Sequence, residues 1–203
     1  MQARHSHRVA PLLPGKLDAD GMLGIPTKPG LGLELDPDAT NYTMGIDNLN
    51  MGMALQKLAF HEEAIKYFLI ARPLFKSEKS PEFVNWCDCY IVDSYIALGN
   101  GIEALFHAQR YLNYAEVTQD LDMQSTAAFN LGQAHRLLKD YSAAEPLLRR
   151  SLDLLASFEE KQWSEMIDTT HELAAVLFAQ GRDLEANRYL DRIATIEETI
   201  NEP

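Results

Sequence analysis

Four alanines recur along this chain at nearly constant intervals. The spacings are 40, 40 and 42 residues, for Ala64, Ala104, Ala144 and Ala186. Twelve residues before each alanine stands a small or β-branched residue, in chain order Gly52, Val92, Gly132 and Ala174. A fixed period of this length predicts a stacked array of helix pairs.

Helix start signals agree with this period. Asp36-Pro37 and Ser80-Pro81 each place an N-cap residue before a proline suited to the first helical position. The sequence predicts four antiparallel pairs, in repeats near 37–79, 80–119, 120–159 and 160–203. The first helices are predicted over 37–59, 81–98, 121–138 and 161–180, and the second helices over 61–77, 101–118, 141–157 and 183–201.

The alanines explain why the pairs must stack. A residue as small as Ala64 lets two helix backbones approach closely, and the larger Phe68, four positions later, fills the gap beside it. One helix pair cannot bury both of its faces, but stacking on its neighbours buries a continuous core. The expected fold is therefore an all-α, right-handed solenoid.

Composition separates residues 1–36 from the rest. This segment holds four of the nine prolines and five of the eleven glycines, and its four basic and four acidic residues cancel. No helical periodicity is visible in it, so we expect an irregular, flexible or loosely docked arm before the repeats at 37–203.

Charge and cysteine content narrow the partners. The formal net charge of −12 disfavours nonspecific nucleic-acid binding and favours basic partners. No apolar run is long enough to cross a bilayer, so no membrane partner is expected. Two cysteines provide no disulfide framework, and a cytoplasmic setting is expected.

The order glycine, alanine twelve residues later, then a large and a small residue resembles the tetratricopeptide repeat. Gly52, Ala64, Phe68 and Ala71 form one copy, and the segment 142–152 is similar to the long-period repeats of kinesin light chains. The common repeat has 34 residues, so 40–42 implies an added turn or two of helix.

The resemblance implies a concave groove lined by the first helices, in which a peptide or helix of a partner protein lies. Register transfer along the repeats predicts the groove residues Asn50, Met53, Trp86, Tyr90, Asp93, Phe129, Asn130, Gln133, Arg136, His171 and Phe178. This mixture of aromatic and amide side chains with few charges is typical of an interface centre. Together with the acidic Asp93, it favours a basic or amphipathic ligand.

Two details refine the groove. Asn50 and Asn130 hold equivalent places, where an amide either contacts a ligand backbone or is solvated or bonded internally. Related chaperone adaptors clamp a carboxylate with lysine beside asparagine. The corresponding places here hold Leu49, Cys89, Phe129 and His171, which argues against binding of acidic chaperone tails.

No pattern for catalysis, a cofactor or a metal emerges. His171-Glu172 begins like a zinc-protease helix, but the second histidine is missing. Cys87 and Cys89, two apart on a helix, point in different directions, and His135 stands where other repeats place core residues. We expect a scaffold or adaptor rather than an enzyme.

The C-terminal helix leaves an alternative open. Repeat arrays usually finish with a polar capping helix, whereas 183–201 carries an apolar stripe that is expected to be partly exposed. The stripe consists of Leu190, Ile193, Ile196 and Ile200. Homo-oligomer formation through this stripe, in a ligand-responsive regulatory domain of a signalling system, is the alternative function. The sequence does not decide whether this chain is part of a larger protein.

Overall fold

The computed structural model describes residues 40–159 and 162–201, with the backbone alone for 195–201. Within these residues the chain forms eight helices and no strand. The helices are α1 (Asn41–Lys57), α2 (His61–Ser77), α3 (Pro81–Ala97), α4 (Gly101–Thr118), α5 (Leu121–Leu137), α6 (Tyr141–Ser157), α7 (Trp163–Ala179) and α8 (Asp183–Asn201). The predicted arm, 1–36, lies outside the described residues.

Each helix packs mainly against its neighbours in the chain, which is the contact pattern of a solenoid. Three apolar clusters follow one another along the array. The first joins α1, α2 and α3 around Phe68, the second joins α3, α4 and α5 around Tyr111, and the third joins α6, α7 and α8 around Leu173. The prediction of an all-α solenoid of four helix pairs is confirmed.

The start of α1 differs from the prediction. Thr40 has extended backbone dihedrals, with φ −69° and ψ 158°, and its side chain accepts a hydrogen bond from the Thr43 amide. Thr40 is therefore the N-cap, and Asp36-Pro37 does not begin this helix. The second signal is confirmed, because Ser80 is the N-cap of α3 and Pro81 follows it in the first turn.

The turn inside each pair repeats one backbone geometry. Positive φ values occur at Ala59 (62°), Gly99 (72°), Lys139 (60°) and Gly181 (75°). In each case the next amide reaches back to a carbonyl near the helix end, as in the bond from Asn100 N to Tyr95 O of 2.8 Å. These turns are Schellman motifs, in which glycine is the residue with least strain.

A contact between a small and a large side chain joins the two helices of each pair. A Cβ added to Gly52 would lie 2.4 Å from Phe68 Cε1, and one added to Gly132 would lie 2.6 Å from Leu148 Cγ. In the second pair the sizes are exchanged, since Val92 takes the glycine position and Ala108 the large position. The glycine positions therefore follow from packing rather than from chain flexibility.

We predict that Gly132 and Leu148 are energetically coupled. Gly132→Val should lower the free energy of unfolding by about 1–3 kcal/mol through overpacking, and Leu148→Ala by about 2–5 kcal/mol through a cavity. The double variant restores the Val92–Ala108 arrangement, so its loss should fall short of the sum by about 1 kcal/mol or more. Urea unfolding followed by circular dichroism measures this, with Ala97→Val as the control for a β-branched residue at an exposed helical site. Strict additivity would contradict the size-matching account.

A second prediction concerns the turns. Ala59→Gly and Lys139→Gly should each raise the free energy of unfolding by about 0.5–1 kcal/mol, because relief of left-handed strain exceeds the added entropy of the unfolded chain. Gly99→Ala should lower it by a similar amount. Ala54→Gly, at an exposed helical site in α1, is the control and should be destabilising. The same urea titrations decide this, and a loss of stability in both turn variants would refute the strain assignment.

Candidate binding surface on the first helices

The first helices of the pairs lie closer together than the second helices do. Cα atoms of α1 and α3, of α3 and α5, and of α5 and α7 come within 8 Å of one another. In the described part of the chain, no such approach occurs between successive second helices. The first helices therefore form the tighter, inner side of the curved array, which is where the predicted groove residues belong.

Polar side chains bridge neighbouring first helices. Gln56 Nε2 on α1 donates to Tyr90 O and to Ser94 Oγ on α3, both at 3.1 Å. Gln133 Nε2 on α5 donates to Glu172 Oε1 on α7 at 3.0 Å. Arg136 completes this second bridge with an ion pair to the same carboxylate. These bridges satisfy much of the inner surface's polarity internally and fix the spacing of its walls.

The equivalent asparagines have different environments. Asn130 is 2% exposed, and its Nδ2 donates to Cys89 Sγ at 3.9 Å across the α3–α5 contact. Asn50 is exposed, because α1 has no preceding first helix among the described residues. The placement of Asn130 in an open groove is therefore wrong, and the internally bonded reading holds for that residue.

Aromatic side chains divide into exposed and packed members. Trp86 is 47% exposed and rests edge-on against Phe83, with ring centroids 4.9 Å apart. Phe178 on α7 is 41% exposed. Tyr90 is half-buried and stacks on Phe68 at 5.4 Å, so that one face belongs to the core.

Asp93 is an acidic residue of this surface whose carboxyl pKa is raised. Its side chain is exposed, yet desolvation by the surrounding protein raises its pKa to about 6. The cause is the protein around the carboxyl, which disfavours its charged form. No hydrogen bond or ion pair joins Asp93 to another described residue, so its carboxylate is available to a cationic partner.

The predicted groove residues thus fall into three groups. The exposed ones are Asn50, Trp86, Asp93, His171 and Phe178. The half-buried ones, which pack against the core or form the bridges, are Met53, Tyr90, Phe129, Gln133 and Arg136. The last group contains Asn130 alone.

The apolar stripe of the last helix is packed where its side chains are described. Ile193 is 6% exposed, and Leu190 packs against the third apolar cluster. Ile193 is therefore not open for self-association, whereas Leu190 is half-buried, in agreement with the expected partial exposure. Ile196 and Ile200 belong to α8, but their side chains lie outside the described part.

A buried ionic network was missed by the sequence reasoning. Asp88 is 1% exposed and accepts from Arg72 Nε at 3.0 and 3.1 Å, one distance to each carboxylate oxygen. His107 Nδ1 lies 2.8 Å from Asp88 Oδ1, and Arg110 Nη2 lies 3.5 Å from Oδ2. The available signal was a charged residue four positions before Val92, on the side of α3 that packs against α2 and α4.

The cysteines behave as packed thiols. Desolvation, with a further contribution from the neighbouring Asp88, raises the pKa of Cys87 to about 12. Desolvation, followed by the effect of Asp93, also raises the pKa of Cys89. Among the residues that the structure describes, no three histidine, cysteine or acidic side chains cluster as metal ligands.

None of the described helices combines the length and the apolar character that crossing a bilayer demands.

The chain is similar to known proteins both in sequence and in fold. Residues 126–155 match the model of the tetratricopeptide repeat family. The fold is similar to the apo form of RapI, with a TM-score of 0.73 and 15% identity, over 81% of this chain and 60% of that chain. It is also similar to BtubC (BKLC) from P. vanneervenii, with a TM-score of 0.70 and 17% identity, over 79% of this chain and 65% of that chain. None of the curated protein sequences matches this chain.

These matches confirm the predicted tetratricopeptide-type repeats. At such identities the solved structures establish the fold alone, and the present chain spans less than two thirds of either one. Solenoids of this kind are typically non-enzymatic and bind other proteins along an extended surface.

Proposed function

We propose that this tetratricopeptide-repeat chain is a protein-interaction scaffold that holds a peptide or helix of a partner against its first helices. The observation that carries the proposal is the inner surface itself. Its bridging polar groups are satisfied within the array, while Trp86, Asp93 and Phe178 remain exposed on it. A partner segment would find apolar contacts and a charge there without first breaking the bridges.

The arrangement of these side chains supports a ligand that is both basic and apolar. Trp86 and Phe178 offer aromatic surface of the kind that is enriched in interface hot spots. Asp93 lies on the same helix as Trp86, two first helices before Phe178, and has no hydrogen bond or ion pair with another described residue. Glu172, by contrast, is already neutralised by Arg136. A peptide with a lysine or arginine between apolar residues therefore complements this surface.

The self-associating regulatory alternative is not part of this proposal. It was motivated by a partly exposed stripe on α8, in which Ile193 is buried and Leu190 is half-buried against the third cluster. A scaffold function needs no such exposure.

Binding by the exposed aromatic residues is testable with selected ligands. Peptides that mix basic and apolar residues would be selected on the immobilised full chain, and the tightest would be labelled for fluorescence anisotropy. Trp86→Ala and Phe178→Ala should each weaken binding about tenfold or more, as expected for hot-spot truncation. Phe106→Ala is the matched control, because Phe106 is 61% exposed but lies on the second helix α4. Equal losses in all three variants, or none in the first two, would sink the proposed surface.

Asp93 generates a separate prediction about pH. Since its pKa is raised to about 6, the carboxylate is charged at pH 7.5 and gains a proton as the pH falls below that value. Affinity for a lysine-containing peptide should therefore fall between pH 7.5 and pH 5, and Asp93→Asn should remove most of that change. His171 also lies on this surface, so His171→Gln is a second variant whose pH profile is compared with that of Asp93→Asn. The same peptide with glutamine in place of lysine is the control, and an unchanged pH profile in Asp93→Asn would contradict the role of this carboxylate.

A further inference from the structure

The second helices are held together differently at each junction along the array. We call the place where α2, α3 and α4 meet junction 1, where α4, α5 and α6 meet junction 2, and where α6, α7 and α8 meet junction 3. Junction 1 is filled by the buried Asp88 carboxylate, with Arg72 from α2 and His107 and Arg110 from α4 around it. The carboxylate thereby connects two helices whose backbones do not approach one another.

The repeat register identifies the same four places at junction 3. Helix α6 follows α2 by 80 residues, while α7 follows α3 and α8 follows α4 by 82. The equivalents of Arg72, Asp88, His107 and Arg110 are therefore Leu152, Thr170, Tyr189 and Arg192. Tyr189 and Arg192 resemble the residues they replace, since tyrosine, like His107, is a ring with a polar group and Arg110 is also an arginine. The carboxylate of Asp88, however, is replaced by the hydroxyl of Thr170.

A cavity occupies the place of the missing carboxylate. All four equivalent residues line a space of about 260 Å³ between α6, α7 and α8. Arg149 and Asp153 of α6 also line it. This volume is large enough for several water molecules or for one small organic anion.

Junction 2 shows that such a space is not required by the repeat geometry. There the equivalent positions hold Leu112, Ala128, Leu147 and Arg150. Leu112 and Ala128 are buried, and Leu147 packs against the second apolar cluster. Arg150 is directed to Glu116 and Gln124 instead. The three junctions thus contain an ionic network, an apolar filling and a cavity.

The cavity has a cationic side. The guanidinium groups of Arg149 and Arg192 lie 5.4 and 5.8 Å from the Tyr189 ring centroid. Arg149 is bound to Glu145 and Glu185, at 2.9 and 2.7 Å. Burial opposes its charge, but these hydrogen bonds outweigh that effect and raise the pKa of Arg149.

Arg192 differs from Arg149 in having unused donors. It forms no ion pair with another described residue, and its five N–H groups suit a carboxylate. Thr170 is buried, and its hydroxyl donates to Met166 O at 2.6 Å, which leaves its oxygen as an acceptor only. Asp153 opposes an anion, so the site is suited to a single negative charge beside Arg192 rather than to a polyanion.

We propose that the cavity at junction 3 binds a carboxylate from outside this helical array, in the place that Asp88 fills at junction 1. The carboxylate contacts Arg192, and its apolar remainder lies against Leu152 and Met166. It comes either from a small organic acid or from the free C-terminus of a peptide. None of the groove residues on the inner surface takes part, so this site is independent of the scaffold function.

The test uses the full chain in nuclear magnetic resonance titrations at constant ionic strength. Acetate and propionate represent the small acid, and a tripeptide with a free or an amidated C-terminus represents the second source. Sodium chloride is the reference anion. We expect saturable shifts at the amides of Thr170, Tyr189 and Arg192 with the small acids or with the free peptide, and the amidated peptide should lack the effect.

Three variants make the outcome decisive. Arg192→Gln should weaken binding about tenfold or more, as for loss of a charged partner. Thr170→Asp should abolish it, because the carboxylate is then supplied by the chain itself, as at junction 1. Arg188→Gln, which removes an exposed arginine of α8 outside this cavity, should bind like the unmodified chain.

Other results would overturn the proposal. These are the absence of saturable shifts with every carboxylate, equal shifts with chloride, or full binding in Arg192→Gln. If Thr170→Asp does not fold, the comparison of Arg192→Gln with Arg188→Gln still decides between the outcomes.

Discussion

The close approach of the two helices within each pair is the constraint on which the rest of this structure depends. Where a glycine lies on the first helix, a large side chain of the second helix covers it, as Phe68 covers Gly52 and Leu148 covers Gly132. Where Val92 replaces glycine, Ala108 makes room for it. What is kept from pair to pair is the summed size of the two side chains rather than either identity, because a close-packed interior tolerates neither a void nor an overlap. This explains why the alanine spacing persists while the residues around it vary.

Tight pairs leave the array with two different sides. The first helices approach one another closely enough for single side chains such as Gln56 and Arg136 to bridge them. The second helices are farther apart, so their contacts pass through an intervening first helix, and Asp88 of α3 is the clearest case. One side of the array therefore presents a continuous wall, and the other presents a series of junctions that the sequence fills in different ways.

The sequence was sufficient for the architecture because helix periodicity and turn chemistry are local. Ser80-Pro81 marks a helix start and Gly99 a helix end without reference to distant residues. The sequence was insufficient where residues distant in the chain decide which residue caps a helix or whether a side chain is buried. Asp36-Pro37 has the local chemistry of a start, but Thr40 forms the actual cap. Asn130 and Asn50 share a register position, but among the described residues only Asn130 has a preceding first helix, whose Cys89 accepts a hydrogen bond from its amide. Ile193 was expected to be partly exposed, yet it is buried in the structure.

Identical register therefore defines a position in a repeat protein but not an environment. Asp88, Ala128 and Thr170 stand at one position of three successive first helices, and they are the centre of an ionic network, a filled apolar contact and the wall of a cavity. The stability of the array needs each junction to be compatible with its two neighbouring pairs, and the apolar filling of junction 2 meets that need without a buried charge. The buried charge at junction 1 and the cavity at junction 3 are not required for that stability. In a stacked fold whose core positions repeat, such departures between equivalent places identify the positions at which properties other than folding can be tested.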